Sequence, residues 1–439
     1  SRELYAVDQE HAKNIENDIQ RQYMVLKETG NPDHPNHNFS CGNRETLSRI
    51  PLSVLQDWYR THYSANRMHL VMISSLPIAE MRNLVVAKFS FIPSITVQKK
   101  PPQASLLSDQ QKGSMVFIKP IKDLKTLTLY WEVPNAFSSS LDEKFPEFIA
   151  YILNKQVKGS LLAKLKKENF AKNLSVDCHC LSKDHSLFFI DVFLTDSGLT
   201  QTDTVISYIF SALERLKAES LDDLFKEFKT ICAQKLAYES MDNVFEKVIE
   251  LASDIIYEDL STYPTKTRVP SLFNTERFSK DFLSALNPFD CIYSLMADPN
   301  EMGVILDRKE QWMQVEYTLL PIDPKRLQEY KDVSLHPEIT LPEANPYLQD
   351  VQGNPILICQ DESAMVYFKR THSSANGLAF QFKSPFLDQT PKSGVLAELW
   401  LYAFNDLLAD DLCFASDAGI SINTDLNPLY FYFDIVGAN

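Results

Sequence analysis

The chain is poor in glycine, with 11 among its 439 residues. Nucleotide-binding folds cradle phosphates in glycine-rich turns between alternating strands and helices. No such turn occurs here, so neither a doubly wound dinucleotide fold nor a phosphate-loop fold is supported. No run of about 18 apolar residues is present, so no membrane-spanning helix is expected. Cysteine is sparse: the 7 residues are scattered and odd in number, which implies no disulfide framework. The Gly-x-Ser-x-Gly elbow of many serine hydrolases is missing. Positive charge is in deficit, with 43 Lys and Arg against 58 Asp and Glu and a net charge of −15. Nucleic acid and anionic membrane surfaces are therefore not expected partners, because both require clustered cations.

What is present is ordinary globular material, 44% hydrophobic and 23% charged, organised by an internal repeat. Ser114-Met115-Val116-Phe117-Ile118-Lys119 reads like Ala364-Met365-Val366-Tyr367-Phe368-Lys369. The spacing of about 250 residues indicates duplicated domains rather than a solenoid, whose period is about 20–50 residues. Each segment is followed by a strand-like run ending in proline, Leu127 to Pro134 and Leu378 to Pro385. Helix-forming stretches follow at Leu161-Leu162-Ala163 and Leu407-Leu408-Ala409, and strands close the units at Phe188 to Leu194 and Tyr430 to Val436.

A second echo pairs a helix at Leu52 to Tyr59, Asn66 and a strand at Met68 to Ser74 with a helix at Phe278 to Ala285, Asn287 and a strand at Cys291 to Met296. The chain then reads as the C-terminal half of one domain (1–97), a whole second domain (98–340), and a linker with the N-terminal half of a third (341–439). Breaker-rich linkers at Pro93 to Ser105 and Leu341 to Pro355 fit those boundaries. Within the middle unit, strands over about 115–133 precede helices over about 142–168, 201–217 and 221–256. Strands grouped with helices in this way predict an α+β fold, an antiparallel sheet covered by helices. The middle unit is expected to be complete in itself.

The first helix, read from Glu3 to Lys27, carries Glu3 and Glu10 nearly two turns apart and so on one face. Such a pair can hold a metal or a proton, or form an ordinary solvated face, and spacing alone favours the latter. His34-x-x-His37 lies in a Pro/Asn-rich loop without companion ligands. Cys178 and Cys180 point the same way from a strand and, with no second cysteine pair, read as packing residues.

Arg2-Glu3-Leu4-Tyr5-Ala6-Val7-Asp8-Gln9-Glu10-His11 resembles the segment just downstream of the inverted zinc motif in the insulin-degrading enzyme and pitrilysin (insulinase) family of zinc metallopeptidases. The resemblance continues through Thr29-Gly30-Asn31-Pro32-Asp33-His34-Pro35, Gly42-Asn43 with Thr46-Leu47, and Tyr63-Ser64-Ala65-Asn66-Arg67-Met68. It extends to Ile118-Lys119-Pro120-Ile121-Lys122-Asp123 and Gly159-Ser160-Leu161-Leu162 in the next unit.

This family binds zinc through an H-x-x-E-H helix, two histidines as ligands and the glutamate between them as general base, with a later glutamate as third ligand. The resemblance makes Glu10 that third ligand and Glu3 a supporting acid. None of the 9 histidines, at positions 11, 34, 37, 62, 69, 179, 185, 336 and 372, falls in the motif. The motif is therefore expected upstream of Ser1, and the chain alone is expected to be inactive. The family also anchors a substrate's N-terminus near the Gly-Ser-Leu-Leu segment. That implies a substrate-binding role for Gly159 and Ser160, although Leu153 to Lys158 has lost the other glycines and Ser160 also reads as a helix cap.

The implied function is a zinc-dependent endopeptidase degrading oligopeptides inside a chamber of four similar domains. The alternative is a catalytically inactive relative that binds peptides or assembles with an active partner. A plain interaction module would not account for the run of matches. Expected partners are oligopeptides and the missing N- and C-terminal parts of the same polypeptide. A soluble protein, cytoplasmic or periplasmic, is expected.

Overall fold

A computed structural model describes residues 2–96, 104–138, 140–182, 184–237, 243–348, 366–368, 375–383, 390–427 and 430–438. The fold is α+β and is built around a sheet of seven strands. These are β1 (Ser114–Ile118), β2 (Thr126–Val133), β3 (Ala171–Cys180), β4 (Ser186–Leu194), β5 (Ile292–Met296), β6 (Arg308–Lys309) and β7 (Glu316–Pro321). Their order is β3-β4-β2-β5-β1-β7-β6. Neighbours run antiparallel except for β1 and β5, which are parallel. Strands β2 and β5 are buried along nearly their whole length, which requires cover on both sheet faces.

Alternate residues of β2 explain how that cover is shared. Leu127, Leu129, Trp131 and Val133 point into a core with the helices Phe145–Leu153, Leu161–Lys167, Thr202–Ala218 and Asp222–Ala237. Tyr130 points the other way, with Val116, Ile118, Ile292 and Met296, against Met24, Val25 and Leu26 of the helix Asp18–Thr29. At the centre of this second face the Gln22 amide donates to Thr128 Oγ1 at 2.9 Å and Ser294 Oγ at 3.0 Å, all three buried. An N-terminal helix thus covers one side of the middle unit's sheet.

Local chemistry corrects three helix boundaries. The helix expected from Glu3 to Lys27 is two helices, Arg2–Ile15 and Asp18–Thr29. Asn17 leaves helical geometry and its side chain accepts the amides of Ile19 and Gln20, capping the second helix. Asp18 is then free to accept the amides of Ile121 and Lys122 at 2.8 and 3.0 Å. The helix expected over 142–168 breaks into Phe145–Leu153 and Leu161–Lys167, with Gly159 between them at φ +81°. The one expected over 221–256 becomes Asp222–Ala237 and Val244–Asp254; residues 238–242 lie outside those described.

Met68 to Ser74 is not a strand. No described strand lies beside it, so its backbone groups have no ladder to join. It runs between the helices Leu52–His62 and Ile78–Phe89. Those helices expose Leu52, Val54, Leu55, Trp58, Ile78, Val86 and Phe89 to solvent.

A second sheet contains β8 (Val366–Phe368), β9 (Ala375–Lys383), β10 (Ser421–Asn427) and β11 (Tyr430–Ala438) in the order β10-β11-β9-β8, antiparallel throughout. The order β3-β4-β2 of the first sheet recurs here as β10-β11-β9. The helices Pro391–Leu407 and Ala409–Asp417 meet at Leu407-Leu408-Ala409. Among the described residues the units then diverge: β5 separates β2 from β1, which continues into β7 and β6, whereas β8 pairs directly with β9 and ends the second sheet. Ala364, Met365, Lys369 and Pro385 of the repeat, and residues 97–103 and 349–355 of the two linkers, lie outside the described residues. Among the described residues no helix is long and apolar enough to cross a membrane.

Candidate functional site

Two surfaces carry the residues singled out by the sequence. On the helix Arg2–Ile15, Val7 and Asp8 are half-buried and His11 is buried, which fixes the face that docks. The His11 ring meets Phe39 edge-on at 5.1 Å, and Phe39 stacks on Trp312 at 4.5 Å. Asp8 accepts the Arg44 amide at 2.9 Å. Glu3 and Glu10 are both exposed, beside the docked face rather than under it. The Cys41 thiol lies near enough to register the Glu10 charge: burial raises its pKa above the usual value, and Glu10 adds to the rise.

A carboxylate held on a rigid helix is a suitable oxygen donor for zinc. The described residues do not complete such a site, since no three His, Cys, Asp or Glu among them converge to hold a metal. An exposed carboxylate such as Glu10 offers one donor of such a set. His34 and His37 do not join it. The Nδ1 of His34 accepts the Asn36 amide at 3.0 Å, and His37 Nδ1 lies 3.0 Å from the Lys27 carbonyl. Cys178 is held neutral by burial, and Cys180 Sγ lies 3.2 Å from the Ser182 carbonyl.

The second surface is a cleft of about 740 Å³ beside Gly159. Its walls are the 157–160 turn with the helix Leu161–Lys167, the segment 338–343, and the helix Ala409–Asp417. Gly159 sits at φ +81°, a conformation that costs other residues energy. A side chain there would also collide with Thr340 Oγ1, and the Thr340 amide donates to the Gly159 carbonyl at 2.8 Å. Ser160 caps the helix Leu161–Lys167, its hydroxyl accepting the Ala163 amide at 3.2 Å.

Charge in the cleft is balanced. Glu338 pairs with Lys164 at 2.5 Å and with Lys167, and these two ammonium groups hold its carboxyl down to about 2. Lys164 is raised in turn by Glu168 and Glu338. Asp410 accepts the Lys158 amide at 3.0 Å. Thr340 and Asp410 are among the cleft residues that sequence reading missed. They lie far along the chain from Gly159 and carry no local signal, and only the positive φ at Gly159 hints that another segment passes close by.

Residues 49–232 match a family model described as the peptidase M16 inactive domain, and residues 237–439 match one described as the middle or third domain of peptidase M16. The A-factor-processing enzyme of Saccharomyces cerevisiae is 27% identical over 93% of this chain and 42% of its own length. The insulin-degrading enzyme of Homo sapiens is 25% identical over 100% of this chain and 45% of its own. Protease 3 of Escherichia coli is 25% identical over 97% of this chain and 46% of its own. The chain therefore spans less than half the length of each of these relatives. Among solved structures, pitrilysin superposes over 100% of this chain and 48% of its own, with a TM-score of 0.77 at 22% identity.

Proposed function

Because this chain belongs to the peptidase M16 family of insulin-degrading enzyme and pitrilysin, we propose that it is part of a zinc-dependent endopeptidase that degrades oligopeptides in an enclosed chamber. Glu10 is the zinc ligand this chain supplies, Glu3 is a supporting acid, and Gly159 and Ser160 contact the substrate. Zinc supplies Lewis-acid activation of a water when bound. This chain's own contribution is to fix the Glu10 helix through Asp8, His11 and the Phe39–Trp312 stack. That docking, on a segment whose sequence resembles the family's ligand helix, is the observation that carries the reading.

The units at 1–97, 98–340 and 341–439 are domains or halves of domains in this reading. The recurring strand order and the unbroken seven-stranded sheet from β1 to β7 support that division. The boundary near residue 235 between the two family models falls instead within the helix Asp222–Ala237. The exposed apolar faces of the helices Leu52–His62 and Ile78–Phe89 support further parts of the same polypeptide as partners.

The test is made on the full-length polypeptide. Glu10→Gln should lower zinc content and peptide hydrolysis together, and Glu3→Gln should lower activity with a smaller loss of metal. Unchanged zinc and unchanged hydrolysis in Glu10→Gln would remove Glu10 from the site. A parent protein that binds peptides without cutting them would establish the non-catalytic subunit instead.

A further inference from the structure

The loop after the helix Asp18–Thr29 reaches the middle sheet at a cluster of two histidines and a carboxylate. His34 is 6% exposed and His185 2% exposed, and their rings meet edge-to-face at 4.7 Å. His185 comes from the turn between β3 and β4, and its Nδ1 lies 3.0 Å from Glu132 Oε1 near the end of β2. Glu132 also accepts from Ser105 Oγ at 2.7 Å and from the Leu106 and Leu107 amides. Asn31 completes the join: its side chain donates to the Ser105 carbonyl at 2.9 Å and its amide to the Leu106 carbonyl at 3.2 Å. Four segments, 29–38, 104–108, the end of β2 and the β3–β4 turn, are thus buckled together around one carboxylate.

The hydrogen bonding fixes the protonation state of His34. A backbone N–H only donates, so the Asn36 amide at 3.0 Å requires a lone pair on His34 Nδ1. The ring proton is therefore on Nε2, which is buried and has no hydrogen-bond partner. We propose that His34 is an acid-sensitive catch holding the 29–38 loop to the middle sheet, closed when its imidazole is neutral and released when it is protonated.

Protonation would place an N–H on Nδ1 facing the Asn36 N–H, two donors with no acceptor between them, in a buried setting. It would also add a charge against the His185 ring. Of the groups around it, Glu132 attracts that charge but is already engaged by Ser105, two amides and His185. Lys112 and Asp290 stand with Glu132 and His185 around an adjoining cavity of about 390 Å³. On the loop itself Asp33 is exposed and His37 is turned to the Lys27 carbonyl. Burial, then His185, lower the proton affinity of His34 against the pull of Glu132. A histidine whose folded pKa lies below its unfolded value destabilises the closed form as pH falls below about 6.5 and has no effect above it.

The experiment compares amide hydrogen exchange of the full chain at about pH 7.5 and about pH 5.5, corrected for intrinsic rates, in the wild type and in His34→Asn. The asparagine Oδ1 replaces the Nδ1 acceptor and does not titrate. The Asn36, Leu106 and Leu107 amides of the wild type should lose protection at the lower pH by up to about tenfold, the most that one proton can supply one pH unit below the ordinary histidine value. His34→Asn should show no such loss. Equal protection at both pH values in the wild type, or the same loss in the variant, would overturn the proposal. Nitrogen-15 histidine spectra of the wild type give an independent reading should the variant not fold. A neutral Nε2–H tautomer titrating below 6.5 supports the catch, and an Nδ1–H tautomer or a pKa above 6.5 refutes it.

Discussion

The ammonium of Lys155 lies 2.7 Å from the carboxylate of Asp417, 262 residues further along the chain. Glu227 Oε1 is 3.3 Å away, and the rings of Tyr151 and Phe414 stand 4.3 and 5.0 Å from the same nitrogen. Asn345 spans the same junction, its amide donating to Glu227 and its side chain to the Phe414 carbonyl. The cation, with its side chain only 1% exposed, ties the turn before Gly159 to the second sheet's helix. Lys155→Met should leave two carboxylates facing one another and lower stability by about 3–5 kcal/mol in urea unfolding. Adding Asp417→Asn should recover part of that loss. A change under about 1 kcal/mol would show that the pair contributes little.

Gly159→Ala tests the turn beside the cleft. The substitution forces a residue with a Cβ into positive φ and against Thr340. A loss of about 1–2 kcal/mol from the backbone alone is expected. Thr340→Ala in the same chain should relieve the collision but leave the backbone part. Full recovery in the double variant would show that φ at this position is not a constraint.

Glu338 should shape the acid limb of stability. Its carboxyl is held down to about 2 by Lys164 and Lys167, so the pair contributes above the ordinary carboxylate value and is lost as pH falls toward 2. Glu338→Gln should flatten the wild-type decline between about pH 4.5 and 2, followed by circular dichroism. Coincident acid transitions in the two proteins would contradict this.

This chain by itself should bind zinc weakly, because one carboxylate cannot replace a set of three ligands. Calorimetry should detect no tight, stoichiometric site. Submicromolar binding abolished by Glu10→Gln would mean that the other ligands lie within these residues.

The middle sheet should need the helix Asp18–Thr29. A polypeptide of residues 105–340 would uncover Val116, Ile118, Tyr130, Ile292 and Met296, and should bind hydrophobic dyes or self-associate. Residues 1–340 should do so less at that face. Light scattering that finds the shorter piece monomeric and cooperatively folded would show that the helix is dispensable.

Strands were legible where apolar runs are long: Leu127 to Pro134 and Phe188 to Leu194 lie in β2 and β4, apart from the terminal proline. The repeat was legible as an order of elements. Helix breaks were not, because Asn17 and Gly159 are unremarkable in composition and matter only through a cap and a positive φ. Met68 to Ser74 misled because its apolar residues have strand-like character, whereas a strand is defined by its neighbour. The two glutamates of the first helix could be named from resemblance, but their exposure could not. The cleft depended on Thr340 meeting Gly159 and Asp410 meeting Lys158, contacts over sequence separations that local patterns do not encode.

Gln22 gives the N-terminal joint a mechanical character. Its amide has two buried hydroxyl partners, Thr128 and Ser294, on adjacent strands β2 and β5. Sliding the helix by one turn, about 5.4 Å, would strand the Gln22 amide and the Ser294 hydroxyl, while Thr128 would keep its bond to Asp191. A purely greasy contact could shear in small steps, whereas this one is keyed like a dowel in its socket. Helix and sheet should therefore move as one stiff body, and any hinge in the chain must lie somewhere other than at this contact.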